Sequence, residues 1–270
     1  MLLTIRHLTR YHFDEPVSHA LQRLRLTPKT TAGQSVIDWT MTLDGAVREA
    51  EYEDQNHNRT TLITVLPGTR EFSVVCTGTV RTSDQGGVMG RHSGHLPLWH
   101  FLDHTRATSP GPRMKALLAG VEVQDDMVST LHRLSAAVLG KVGYVTGATD
   151  VDTPAEEALA AGSGVCQDHA QIFIGCARML GVPARYVSGY LMMDDRVDQE
   201  AGHGWAEVHL DSLGWVGFDI SNGISPDPRY VRVATGRDYH DAAPITGISY
   251  GARDHAMHVE LAVAQRLVEQ

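Results

Sequence analysis

Between Gly162 and Pro183 the sequence reads GSGVCQDHAQIFIGCARMLGVP, and this stretch constrains the fold more than any other. Ala170, Phe173, Ala177 and Leu180 recur at spacings of four, three and four, the stripe of a helix buried on one face. Glycines precede the stripe, Gly181 stops it and Pro183 prevents its resumption. The helix therefore starts at or near Cys166. A cysteine that only fills space would sit mid-helix, as Cys176 does. At a helix N-terminus a thiol instead faces unpaired backbone N–H groups and the positive end of the helix dipole, and both favour thiolate.

Periodicity places the other elements. In TPAEEALAAGSG, Thr153 is followed by Pro154 at the first helical position and by Glu156 three residues after the threonine. This pattern predicts a capping box and a short helix from Pro154 to about Ala161. Met127, Leu131, Leu134 and Val138 mark an earlier helix. Residues 1 to about 105 read as β structure. VREAEYED and TTLITVL flank the turn-forming cluster QNHNR, and PGT at 67–69 turns the chain into EFSVVCTGTVRT. TRATSPGP at 105–112 is rich in turn formers and marks the boundary. The expected division is an N-terminal antiparallel, β-sandwich-like domain over 1–110 and an α+β core over 111–270. That core is expected to keep the C-terminal strands ITGISYG and HAMHVELAVAQRL.

Composition excludes several functions. The net charge of −9 argues against a nucleic-acid partner, because phosphate binding wants a basic surface. The sequence holds no run of 18 apolar residues, so no membrane helix is expected. The N-terminus MLLTIRHLTRYHF carries charges where a signal peptide has its apolar region, so a cytoplasmic location is expected. The three cysteines, Cys76, Cys166 and Cys176, form no CxxC pair. That fits a reducing compartment and argues against a disulfide framework or a cysteine zinc site. No cofactor is implied, and self-association into a homo-oligomer is left open.

A cysteine nucleophile needs a base within hydrogen-bond reach, and the base needs an orienting partner. GHGWAEVHLDSLGWVGFDI supplies both, on two strands. By alternation His203, Trp205, Glu207 and His209 share one face of the first strand, and Trp215, Gly217 and Asp219 share one face of the next. If Asp211-Ser212-Leu213 is a three-residue loop with Gly214 left-handed, Leu210 pairs with Gly214. Trp205 then falls opposite Asp219, and His203 lies one diagonal step away on the same face, within side-chain reach. A slip of one residue would put His203 and Asp219 on opposite faces. Cys76, inside a strand, and Cys176, inside the helix, read as core residues. A rival cluster, His92, His95, His100 and His104, could ligate zinc. Its spacings fit no helical ligand pair and no acidic base accompanies it, so no metal is expected there.

These residues carry a resemblance. TPAEEALAAGSGVCQDHAQIFIGCARMLGVPARYVSGYL, GHGWAEVHLDSLGWVGFDISNG and VRVATGRDYHDAAPITGISYG resemble the bacterial transglutaminase-like superfamily, whose members are often described as cysteine proteases. LRLTP, GQSV and DQNHN resemble that family's N-terminal β domain. The resemblance implies a papain-like core with Cys166 as nucleophile, His203 as base and Asp219 as orienting acid. Two positions depart from the family pattern: Gly204 stands where alanine usually follows the histidine, and DISN replaces DPTN. The expected activity is acyl transfer from a peptide or protein amide, by hydrolysis in the first instance. Transamidation, or a non-catalytic peptide-binding role, are the alternatives. The Cys166 backbone N–H is the expected first oxyanion donor, and Trp205 is expected to shield the pair from water.

Overall fold

The computed structural model describes residues 1–251 and 255–266. Six strands open the chain: β1 (Leu2–Phe13), β2 (His19–Leu24), β3 (Gln34–Asp44), β4 (Ala46–Glu53), β5 (Arg59–Val65) and β6 (Glu71–Thr82). After β7 (Val88–Gly90) come α1 (Pro112–Ala119), α2 (Met127–Leu139), β8 (Gly143–Tyr144), α3 (Ala155–Ala161), β9 (Ser163–Gly164) and α4 (Cys166–Met179). The chain then runs through β10 (Ala184–Leu191), β11 (Asp198–Gln199), β12 (His203–Leu210), β13 (Gly214–Phe218), β14 (Tyr230–Gly236), α5 (Tyr239–Ala242), β15 (Ile245–Tyr250) and β16 (His255–Gln265).

Two sheets form the N-terminal sandwich, ordered β11-β16-β1-β6-β3 and β15-β2-β5-β4. Alternating residues from both close on a core that includes Phe13, Leu24, Ile63, Phe72 and Val74. The C-terminal strands belong here, which corrects the expected division: β16 pairs antiparallel with β1 from Leu3↔Gln265 to Phe13↔His255, and β15 pairs with β2. The physical reason is that β1 would otherwise leave a long strand edge unpaired. Nothing local in the sequence names a partner so distant.

The core is the sheet β14-β10-β12-β13-β7 with α4 laid on one face. Ala206 and Val208 of β12 face the helix and join a cluster with Phe173, Ala177 and Phe218. The opposite face of β12 carries Trp205, packed with Val187 and Tyr230. The hairpin has the expected register: Leu210 pairs with Gly214, and Gly214 is left-handed at φ 77°. The ladder ends at Ala206↔Phe218, where Asp219 leaves it to bridge Ile224.

The expected capping box does not form. Helix α3 starts at Ala155, with Pro154 as its N-cap and no side-chain cap. Glu156 turns away and accepts the backbone N–H groups of Gly111, Arg113 and Met114 at 3.1, 2.7 and 3.0 Å. It thus caps α1, whose own N-cap is a glycine with no side chain to do so. The boundary segment 105–112 is also packed, since buried Arg178 donates to Thr108 Oγ1 at 2.8 Å.

Candidate active site

Cys166 is the first residue of α4, and the glycines before it have separate uses. Gly162 ends α3 in the left-handed region at φ 68°. Gly164 lets the chain pass Asp168: a Cβ there would lie 2.6 Å from Asp168 Oδ2. That oxygen accepts the N–H of Val165 at 2.7 Å and the hydroxyl of Thr149 at 2.6 Å, so a carboxylate closes the first turn of α4. The Cys166 N–H is one of the orphan donors of a helix start.

His203 opens β12, with a side chain only 10% exposed. Its Nε2 lies 2.6 Å from Asp219 Oδ2. Its ring lines the same cleft as Cys166 and feels the charge of that sulfur. With Nε2 held by Asp219, Nδ1 is the nitrogen left for the sulfur. Burial alone would lower the His203 pKa, but the neighbouring Cys166 and Asp219 outweigh it and push it up to about 10. Burial disfavours the charge on Asp219 too, yet His203, Tyr230 and Asn222 hold its carboxyl below the usual range. The Tyr230 hydroxyl and Asn222 Nδ2 donate to Oδ2 at 2.6 and 2.7 Å, and the Asn222 N–H donates to Oδ1 at 3.2 Å. Trp205, 2% exposed, stacks on His203 at 6.2 Å between ring centroids and meets Tyr230 edge-on at 5.4 Å.

A second histidine near the thiol has a different setting. His169 is fully buried; its Nε2–H donates to the Val142 carbonyl at 3.0 Å, and Nδ1 accepts the Ser221 hydroxyl at 2.8 Å. Burial lowers its pKa, so it is a neutral strut. The DISN segment thereby acquires two functions: Ser221 fixes His169, and Asn222 fixes Asp219. The other departure is explained as well. A Cβ on residue 204 would lie 1.9 Å from the Tyr186 hydroxyl oxygen, so glycine there makes room for a buried phenol.

Sequence patterning does not single out the tyrosines. Tyr144, Tyr186, Tyr230 and Tyr239 all surround Asp219 or the cleft that Cys166 and His203 line. Tyr144 sits on β8, which pairs with β9 just before Cys166, and its phenol lies close enough to feel the Cys166 side chain. Burial and the sulfur together push its pKa up to about 12. A two-residue strand has no periodicity to read. Asn222 had a signal, as the last residue of DISN.

Cys166, His203 and Gly204 line a cleft of about 300 Å³ whose other wall comes from His7, Thr9 and Arg25 of the N-terminal sheets. His92, His95, His100 and His104 do not line it. His92 Nδ1 accepts from Trp215 Nε1 at 3.1 Å, His104 Nδ1 lies 3.0 Å from the Thr108 carbonyl, and His95 packs against His57. Among the described residues no group of three or more His, Cys, Asp or Glu is placed to hold a metal. Nor is any helix there long and apolar enough to cross a membrane.

Comparison with known proteins agrees with this architecture. Residues 115–220 match the model of the transglutaminase-like superfamily, and residues 3–81 match the bacterial transglutaminase-like N-terminal region. An uncharacterized protein of Mycobacterium tuberculosis is 28% identical, over 91% of this chain and 87% of that protein. One of Mycobacterium leprae is 26% identical, over 96% of this chain and 98% of that protein. The crystal structure of a "Putative Cysteine Protease" from Cytophaga hutchinsonii superposes with a TM-score of 0.78 at 23% identity, covering all of this chain and 92% of that one, and so shares the fold. With both regions matched in order along it, the chain belongs to the bacterial transglutaminase-like superfamily.

Proposed function

We propose that the protein is a thiol acyl-transfer enzyme acting on peptide or protein amides, with Cys166 as nucleophile, His203 as base and acid, and Asp219 as the orienting carboxylate. The observation that carries this reading is one buried histidine with Asp219 on Nε2, lining the same cleft as the helix-start Cys166. His203 holds the thiolate as an ion pair. The thiolate attacks the amide carbonyl, and His203 Nδ1–H protonates the leaving amine. Asp219 keeps the ring oriented and stabilises imidazolium, and its other donors leave it ionised. Trp205 covers the His–Asp pair against water. The Cys166 N–H is the first donor to the oxyanion, and the Tyr144 hydroxyl, on the same cleft, is the second.

The acyl-enzyme then meets water or an amine. Cys166 is partly exposed, which supports water as acceptor and a peptidase or amidase activity. The test is incubation with a peptide library and an added primary amine, read by mass spectrometry. Hydrolysed products in excess over amine adducts are expected. Predominant adducts would make the protein a transamidase. No product under any condition would leave a peptide-binding module and contradict the proposal.

A further inference from the structure

The cleft that holds Cys166 is also lined by a cation with spare donors. Arg25 follows the last residue of β2 in LRLTP and is only 4% exposed, yet it lines the same cleft as Cys166. Its Nε donates to Asp54 Oδ2 at 3.0 Å, the one hydrogen bond its guanidinium makes among the described residues. Nη1 is shut off from solvent and has no acceptor. Asp54 cannot supply one in the fork geometry arginine prefers, because it is committed elsewhere. Its Oδ1 accepts the N–H groups of Asn56 and Asn58 at 2.9 and 3.0 Å, and its Oδ2 also accepts Asn58 Nδ2 at 3.0 Å. Buried donors without acceptors are costly, and a buried guanidinium is suited to a planar pair of oxygens. No described residue lining the cleft is Asp or Glu, so no carboxylate there repels an entering anion, and the Cys166 thiolate is offset by His203.

We infer that Arg25 is a specificity residue that takes a carboxylate of the substrate, so that the enzyme prefers amides lying a short distance from an acidic group. This rests on the reading of Cys166 as nucleophile. A neutral carbonyl would add one ordinary hydrogen bond, whereas a carboxylate adds a charge-assisted one. A cleft of about 300 Å³ admits a side chain or a chain terminus, not a folded surface. The carboxylate can come from a peptide C-terminus or from an acidic side chain. The inference also gives the N-terminal sandwich a part in substrate choice, since Arg25 and Asp54 both belong to it.

The test uses the full chain and chloroacetyl peptides, in which a thiolate displaces chloride and forms a thioether. One arm compares chloroacetyl-oligoglycines of graded length ending in carboxylate or in carboxamide. The other compares chloroacetyl-glutamate amide with chloroacetyl-glutamine amide. The rate of Cys166 alkylation is read by mass spectrometry. The carboxylate partner of a pair should react about tenfold faster or more at a fitting length, the gain that a charged hydrogen bond gives. The arm that shows it names the source. Arg25→Gln should bring the ratio close to one, and Arg25→Lys should keep part of it. Should stranding Asp54 unfold Arg25→Gln, the double variant Arg25→Gln/Asp54→Asn serves, and the wild-type ratios stand regardless. Equal rates in every wild-type pair, or a preference that survives loss of Arg25, overturn the inference while leaving Cys166 as nucleophile. Failure of Cys166 to react even with iodoacetamide removes the nucleophile reading and this inference with it.

Discussion

Helix α4 carries one cysteine at its first residue and another three turns along, and their surroundings differ in every respect that governs a thiol. Cys176 is fully buried, its hydrogen bond among the described residues reaches the Met114 carbonyl at 4.0 Å, and burial pushes its pKa up to about 12. Cys166 is partly exposed and meets His203 and Tyr144. Residue type and helix are shared, so reactivity must come from what the first turn faces. The comparison can be broken by exchanging which end tolerates change. Cys166→Ser should abolish acyl transfer with little change in melting temperature. Cys176→Ser should keep activity and lose about 1–3 kcal/mol of stability, because a hydroxyl enters an apolar site. Steady-state kinetics and thermal melts of both variants check this; the reverse pattern would contradict the assignment.

The next largest effect tests what holds His203 against the reactive end. Asp219→Asn keeps the shape but removes the charge that supports imidazolium. Turnover should fall about 10²–10⁴-fold, as when triad acids lose their charge, with a small shift in melting temperature. The raised His203 pKa has a consequence for folding too. A histidine held near 10 when folded and about 6.5 when unfolded stabilises fully below the lower value. That contribution is lost as pH rises towards 10. The pH dependence of wild-type stability should therefore flatten at the alkaline end in His203→Gln.

The cleft side of the comparison is sharpened by Gly204. Gly204→Ala sets a methyl against the Tyr186 hydroxyl and should lower turnover about tenfold. Adding Tyr186→Phe, which removes that oxygen, should restore part of the loss. The smallest effect lies away from the site. Glu156→Ala should cost about 1–2 kcal/mol, the range for a lost helix cap, by freeing the start of α1, and leave alkylation of Cys166 unchanged.

How far the sequence reaches is clear from these same residues. The start of α4 was legible because Gly162, Gly181 and Pro183 bracket a stripe of fixed period. The shared face of His203 and Asp219 was legible because strands alternate strictly and one loop, closed by left-handed Gly214, sets the register. Glu156 misled because a local motif competes with an uncapped helix that only folding brings near. The partner of β16 could not be read, since β pairing carries no sequence address. Arg25 and Tyr144 reach the site from a distant strand and from a strand too short to show a period.

The central claim is that Cys166 is a thiolate paired with the His203 imidazolium. The most direct measurement is native-state alkylation by iodoacetamide from about pH 5 to 9, with each cysteine read separately by mass spectrometry. Cys166 should label far faster than Cys76 and Cys176, whose pKa values burial pushes up to about 12, and should lose that reactivity in His203→Gln. Labelling of Cys166 that is no faster than that of the buried cysteines, or is indifferent to His203, would contradict the pairing.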